Sequence, residues 1–293
     1  GVVTHAALDA SAQHRSDQKI MEWRDYQQGL ALLNRSAWLT PASFEIAYAQ
    51  ACEELLRLTP SERAIGLRQI LLHIQLVMSS AWRLAALTEE LGADLAVWLN
   101  YRKRWQDLHE SLTGSHLHDG YVRFGGVAAD LPADFERDLQ NACAAEIPHT
   151  DFSVWNGRAQ LVAESVAELN ISGVPTSTSD AGQRAEYLQE TLAQLVQVLP
   201  VLVSELPSGD VHTQLPKTLR VPVGQSVRTV VSGTGDVTLW LHSDGDKAPM
   251  RVALHSNSQR AAAGFTQTSK GMAESEARLL LATLPIAAGE LAL

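Results

Sequence analysis

The sequence predicts a mainly α-helical protein with a small antiparallel β-sheet near its C-terminal end, which is an α+β fold. Through most of the first two thirds of the chain, apolar residues recur every three or four positions, as in helices that bury one face. After Pro222 apolar and polar residues alternate instead, as in half-buried strands. The chain has 293 residues, of which 45% are hydrophobic and 19% charged, and this balance fits a globular protein with a sizeable core.

The longest predicted helix begins near Thr59 and ends at Gly92. We expect Thr59 to be its N-cap, with Pro60 in the first turn and Glu62 completing a capping box. Its apolar face consists of Leu67, Ile70, Leu71, Ile74, Val77, Ala81 and Leu84. A glycine after the last apolar residue is a typical helix stop.

A second helix is predicted directly afterwards, over residues 94–112, and should end at Gly114. The short connection makes the two helices an antiparallel hairpin. We expect Trp82, Trp98 and Trp105 to fill the interface between helices, since large aromatic side chains at helical spacing usually belong to the core.

The remaining elements are shorter. Helical patterns cover 41–58, 132–145, 186–206 and 272–284, and 172–180 is predicted to be a loop between helices. Strands are predicted at 227–232, 237–242 and 250–255, joined by turns at 233–236 and 244–249. We expect one domain over 1–293, with a helical body at 1–215 and the sheet plus a terminal helix at 216–293.

Charge and cysteine content exclude several classes of function. Twenty-three Lys and Arg against 33 Asp and Glu give a net charge of −10, which disfavours nucleic acid or an anionic membrane as the main partner. Cys52 and Cys143 form no CxxC pair, so we expect a reducing, cytoplasmic compartment and a core position for Cys52. No apolar run approaches the ~20 residues that span a bilayer, and no direct transmembrane segment is predicted.

Few residues suggest catalysis by themselves. His116 and His118 form a His-x-His pair that would bind a metal if a third ligand lay nearby, and a metal-dependent hydrolase is one hypothesis. The competing interpretation is a loop of hydrogen-bonding histidines after a helix end. Gly125 and Gly126 lack the spacing of a dinucleotide-binding loop, and the chain has no phosphate-binding G-x-x-x-x-G-K-[ST] motif. Residues 244–246 fit a hairpin turn better than a calcium loop.

One long segment resembles a known family. Residues 113–132, TGSHLHDGYVRFGGVAADLP, resemble the TGARMH-xx-Y-x-R-x-GGV-xx-DLP signature of the D-type subunit of NADH-quinone oxidoreductase, respiratory complex I. Residues 241–252 resemble its LVSDG-xxx-PYRVK segment, and Gly289 with Glu290 resembles its closing GEVDR. The match runs in order over almost the whole chain. The same fold occurs in the large subunit of nickel-iron hydrogenases, whose metal-binding cysteine pairs are missing here.

This resemblance implies a helical bundle of the kind found in that complex I subunit and a role in an electron-transport complex. It implies docking on an iron-sulfur subunit, association with membrane subunits, and a peripheral position on the cytoplasmic face of the inner membrane. A quinone and an iron-sulfur cluster held by a partner are the implied cofactors, and none is expected on this chain itself. The residues implied to face the cluster or quinone are His118, Tyr121, Arg123, Trp38 and Asp9.

The chain resembles a divergent, shortened member of the family, because functional positions differ. Trp38 stands where the family has its quinone-binding tyrosine, and Asp9 lies in an eroded version of the LHRGIE segment. No segment of this sequence resembles the N-terminal sheet that supplies the family's quinone histidine. Quinone chemistry is therefore expected to be degraded. The alternatives are a non-catalytic structural or scaffold paralog, a hydrolase that uses His116 and His118, and a solitary binding module.

Overall fold

The computed structural model describes residues 1–216 and 218–293. Its helices are α1 (Asp17–Met21), α2 (Tyr26–Ser36), α3 (Pro41–Leu56), α4 (Glu62–Glu90), α5 (Ala96–Thr113), α6 (Phe135–Cys143), α7 (Ala163–Glu168), α8 (Ala181–Ser204), α9 (Asn257–Thr268), α10 (Glu274–Thr283) and α11 (Ala288–Leu291). Its strands are β1 (Val122–Arg123), β2 (Gly126–Val127), β3 (Gly224–Ser232), β4 (Gly235–Ser243) and β5 (Arg251–Ser256). The predicted fold class, mainly helical with a small antiparallel sheet, is confirmed.

The hairpin of α4 and α5 forms the centre of the helical body. Gly92 follows α4 with φ 74° and Gly114 ends α5 with φ 77°, the left-handed conformation that glycine adopts without strain. The predicted N-cap was wrong. Ser61, in extended conformation, accepts a hydrogen bond from the Ala64 amide (3.0 Å), so α4 begins two residues later than Thr59 and Pro60 suggested.

The three tryptophans of this hairpin do not share one environment. Trp98 and Trp105 are fully buried, as predicted. The expectation for Trp82 was wrong, because its side chain is 39% exposed. It packs edge-to-face against Trp38, with ring centroids 5.6 Å apart, and the Arg102 guanidinium lies 5.5 Å from its ring centre. Leu84 and Leu87, further along α4, are buried, so Trp82 lies on a face of the helix that its neighbours cover only in part.

Among the described residues, α4 is long and apolar enough to cross a membrane by length and composition. The prediction that no apolar run approaches the length of a membrane span was therefore wrong. In the fold, 78% of its most apolar window is buried, because α3, α5 and α8 pack around it. A buried core helix explains this composition without a membrane.

The sheet has the strand order β3-β4-β5, and both pairs are antiparallel. Val230 pairs with Val237 across the first hairpin, and Leu241 pairs with Val252 across the second. Helix α3 packs against β3 and β4, so alternate strand residues are buried on that side. The three predicted strands are present, each at nearly the predicted position.

Several helices were missed. The helix predicted at 272–284 corresponds to α10, and α9 before it was not predicted. Helix α8 was predicted, but it begins five residues before the predicted position. Both unforeseen starts carry a capping box. Asp180 and Gln183 cap α8, and Ser256 and Gln259 cap α9. The cap residues are visible in the sequence, but Phe265 is the one large apolar residue of α9, so no apolar periodicity marks this helix. The division at residue 215 stays a prediction.

Candidate functional site

The segment with the family signature is a loop that follows α5. His118 lies on this loop with its side chain exposed, and its Nδ1 bonds the Asn34 carbonyl oxygen on α2 (2.9 Å). A carbonyl oxygen can only accept, so Nδ1 carries the proton and Nε2 is the ring nitrogen left for a ligand. The loop is thereby tied to a helix that is distant in sequence.

Asp119, the next residue, holds the loop from the inside. Its Oδ2 lies 3.0 Å from Nε2 of His109 and accepts a hydrogen bond from Gln75 (3.1 Å), while Oδ1 accepts from the Tyr121 amide (2.7 Å). His109 also reaches the Ser115 carbonyl through Nδ1 (2.8 Å). The side chains of Asp119 and His109 are almost completely buried. Both ends of the loop are therefore fixed around His118.

Trp38 and His118 border the same cleft, which has a volume of about 230 Å³. Its other lining residues are Gln13, Arg15, Asp17, Arg35, Ser36, Gly289, Ala292 and Leu293. Sequence reasoning did not find Arg15 and Arg35, which give this cleft two cationic side chains on a protein of net charge −10. They reach the cleft from the segment before α1 and from the end of α2.

Tyr121, Arg123 and Asp9 lie elsewhere. The Tyr121 hydroxyl donates to the Ala129 carbonyl (2.6 Å) in a buried position, and burial raises the pKa of this phenol. Arg123 is exposed and donates to the Gly120 carbonyl. The structure thus brings two of the five predicted side chains together.

Asp9 lies in an exposed segment near the start of the chain. Its Oδ1 accepts a hydrogen bond from the Ser11 amide (2.9 Å), and hydrogen bonds from Ser11 lower the pKa of its carboxyl. It does not line the cleft at Trp38. The carboxylate caps a local turn.

His116 and His118 have different partners. His116 is exposed and lies 3.4 Å from the Glu110 carboxylate, whereas His118 bonds Asn34. Within residues 1–216 and 218–293, no group of three or more His, Cys, Asp or Glu side chains has a metal-binding arrangement. The described chain therefore offers the His-x-His pair no third ligand.

After the loop the chain turns at Gly125 and Gly126, which we call the double-glycine corner. A buried ion pair anchors this corner. Arg68 donates to both carboxylate oxygens of Glu53 (2.6 and 3.0 Å) and to the backbone carbonyls of Arg123 and Gly126. Glu53 in turn accepts from the Gly125 amide (2.7 Å). These bonds join α3 and α4 to the corner and fix the direction in which the chain leaves the loop.

This loop and corner fall in a segment matched by a family model. Residues 92–151 match the model described as respiratory-chain NADH dehydrogenase, 49 Kd subunit. One of the D-type subunits of the NADH-quinone oxidoreductase of Streptomyces coelicolor is 26% identical over 336 aligned positions, which cover 99% of this chain and 88% of that protein. Over almost its whole length the chain is thus similar to the D-type, or 49 kDa, subunits of NADH-quinone oxidoreductase. At this level of identity the similarity is a distant one.

A mitochondrial relative matches at slightly lower identity. The mitochondrial 49 kDa subunit of NADH-ubiquinone oxidoreductase from Neurospora crassa is 24% identical, with 94% of this chain and 72% of that protein covered. In both comparisons the alignment is longer than this chain, so these relatives carry internal stretches that it lacks.

The fold also matches a solved structure. A chain of the membrane-bound sulfane sulfur reductase, described as an archaeal respiratory membrane complex, superposes with a TM-score of 0.91 at 22% identity. The match covers 100% of this chain and 92% of the other. The two chains therefore share almost their whole fold.

Proposed function

We propose that the chain is a component of a complex-I-like respiratory membrane complex, at the place that the D-type subunit takes in complex I. In this proposal it docks against an iron-sulfur subunit on the cytoplasmic side of the membrane, next to the quinone site, and its own quinone chemistry is degraded. The observation that carries the proposal is the cleft shared by His118 and Trp38, because these are the positions that the family resemblance assigns to the cluster and the quinone.

The surface beside this cleft has the composition of an interface. Trp38 and Trp82 are each 39% exposed and pack edge-to-face, with Arg102 against the Trp82 ring. Tryptophan and arginine are among the residues most enriched at positions that contribute most to binding energy. Arg15 and Arg35 in the adjoining cleft add positive charge. We infer that this surface contacts the iron-sulfur subunit.

The residues present suit a quinone head group only in part. When bound, a quinone accepts two electrons and two protons. The guanidinium groups of Arg15 and Arg35 and the indole N–H of Trp38 can donate hydrogen bonds to its oxygens, but none of them releases a proton readily near neutral pH. A tyrosine at position 38 would supply a phenol with a pKa of about 10. His118 is the best remaining proton-carrying side chain in the cleft.

The first test is affinity purification of the tagged protein from native membranes in mild detergent, followed by mass spectrometry. We expect an iron-sulfur subunit and membrane subunits to be recovered with it. A Trp38→Ala/Trp82→Ala variant should lose these partners, whereas Trp23→Ala should keep them, because Trp23 is 79% exposed and lies outside the proposed surface. Recovery of the chain alone as a monomer would refute the proposal.

The second test is Trp38→Tyr in the assembled complex, with quinone reduction as the readout. If proton donation was lost with the phenol, the wild-type complex should reduce quinone slowly. The variant should be about 100-fold faster, at the lower end of what general acid catalysis contributes. Rapid reduction by the wild type that Trp38→Tyr leaves unchanged would show that the chemistry is intact. No turnover in either complex would favour the scaffold alternative, which the loss of the proton donor already suggests.

A further inference from the structure

A second cleft, larger than the one at Trp38, has a volume of about 660 Å³ and shares no lining residue with it. Leu30, Phe124 and Val127 contribute apolar walls, and Glu45 and Arg123 border it. Small-molecule sites are usually concave and mostly apolar, with a few polar groups that fix the ligand. This cleft has that composition, and the proposed docking function does not use it.

Glu45 on α3 is the unusual residue of this cleft. It has no exposed surface, and neither carboxyl oxygen has a hydrogen-bond partner among the described residues. The side-chain amide of Asn34 is a neighbour of Glu45. Neither its nitrogen nor its oxygen has a partner at hydrogen-bond geometry among those residues. Most buried polar groups are paired, because an unpaired one costs about 1–3 kcal/mol. An unsatisfied carboxyl beside a cleft therefore indicates a ligand or ordered water.

The surroundings of Glu45 favour its uncharged form. Burial and the nearby Asp119 carboxylate raise the pKa of Glu45 well above its ordinary value, while Asn34, Arg123 and Arg35 oppose this shift. A neutral carboxylic acid carries an O–H donor, which an ionised carboxylate lacks. A carboxyl group kept neutral by an apolar site can thus donate a hydrogen bond at neutral pH.

We propose that this cleft binds a small, largely apolar ligand through a carbonyl oxygen, which accepts hydrogen bonds from the Glu45 carboxyl and the Arg123 guanidinium. Arg123 uses Nη1 for the carbonyls of Gly120 and Val122, so Nε and Nη2 remain for the ligand. Because Glu45 has no exposed surface, its side chain must rotate towards the cleft on binding. The site shares no lining residue with the cleft of the proposed docking surface, and it would persist if the chain had no partner.

The test compares two probes of similar size, acetophenone and ethylbenzene, by ligand-observed NMR titration of the full chain. Wild-type protein should bind acetophenone about five- to tenfold more tightly, the ratio that one net hydrogen bond gives. Glu45→Leu should lower this preference to what the Arg123 hydrogen bond alone supplies, while ethylbenzene still binds. Glu45→Gln keeps an N–H donor and should keep the preference. Raising the pH should reduce the preference in the wild type but not in Glu45→Gln.

A cleft-filling variant locates the binding. Ala31→Trp changes an exposed residue that lines the cleft, so it should weaken both probes without unfolding the chain. Equal affinity of the two probes for the wild type would overturn the proposal, and so would undetectable binding at millimolar concentration. An unchanged preference in Glu45→Leu would show that Glu45 does not contact the carbonyl. Unchanged binding in Ala31→Trp would place the site elsewhere.

Discussion

Arg68 on α4 and Glu53 on α3 form a two-point ion pair inside the core, with Nη2–Oε1 at 2.6 Å and Nη1–Oε2 at 3.0 Å. Both side chains are almost completely buried. Arg68→Met should therefore destabilise the protein by about 3–5 kcal/mol, because it leaves the Glu53 carboxylate buried without its partner. Urea unfolding measures this loss.

The double variant Glu53→Leu/Arg68→Met separates the cost of an unpaired charge from the value of the pair. It should cost less than Arg68→Met alone, since no charge is left behind. If the double variant loses as much stability as the single variants Arg68→Met and Glu53→Leu lose together, the two residues are not coupled.

Gly126 at the double-glycine corner should not tolerate a side chain. Its φ is 155°, and a Cβ would overlap the Val211 carbonyl oxygen and lie 2.8 Å from Cα of His212. Gly126→Ala should cost at least about 3 kcal/mol, because backbone strain and overpacking add. Gly114→Ala is the matched control, with φ 77° and open space around the position, and should cost only about 1–2 kcal/mol. Similar losses in chemical denaturation would contradict this.

Asp119 should determine the order of the loop that carries His118. In Asp119→Asn the amide would present N–H groups to Gln75 or His109, so buried hydrogen bonds are lost and stability should fall by about 1–3 kcal/mol. Amide exchange over 115–121 should quicken. Asp107→Asn, which changes an exposed ion pair with Lys103, should stay within about 0.5 kcal/mol. Unchanged exchange in Asp119→Asn would show that other contacts hold the loop.

Glu290 should make stability fall as the pH rises. This buried carboxyl accepts hydrogen bonds from Thr234 (2.5 Å) and Ser258 (2.7 Å), and burial raises its pKa. Its neutral form is favoured in the folded state, so the associated stability is present below the unfolded pKa and is lost as pH rises through the folded pKa.

Glu290→Gln keeps an acceptor oxygen but cannot ionise. The urea midpoint of this variant should equal that of the wild type at about pH 4 and exceed it at about pH 8. These two pH values lie on either side of the ordinary and the raised pKa of a glutamate. If the wild type were the more stable protein at the higher pH, the ionised carboxylate would be the stabilising form. Its partner would then be Arg83, whose charge opposes the rise in the pKa of Glu290.

Local patterns were sufficient for the main elements. The periodicity of α4 and α5, their glycine stops and the alternation in β3, β4 and β5 all depend on residues close in sequence, and the structure contains each of them. The start of α4 was misplaced because Thr59 and Ser61 both have cap side chains, and only the backbone conformation decides between them. The exposure of Trp82 also depends on which elements cover its face of α4.

The sequence by itself determined the helical body, the small sheet and the family resemblance, because propensities, caps and motif spacing act over a few residues. Only the tertiary structure decided that His118 and Trp38 share a cleft with Arg15 and Arg35, and that Glu45 lies unpaired beside another. These arrangements depend on contacts between residues that are far apart in the chain. Close packing of the helices sets those contacts, and no local pattern encodes them.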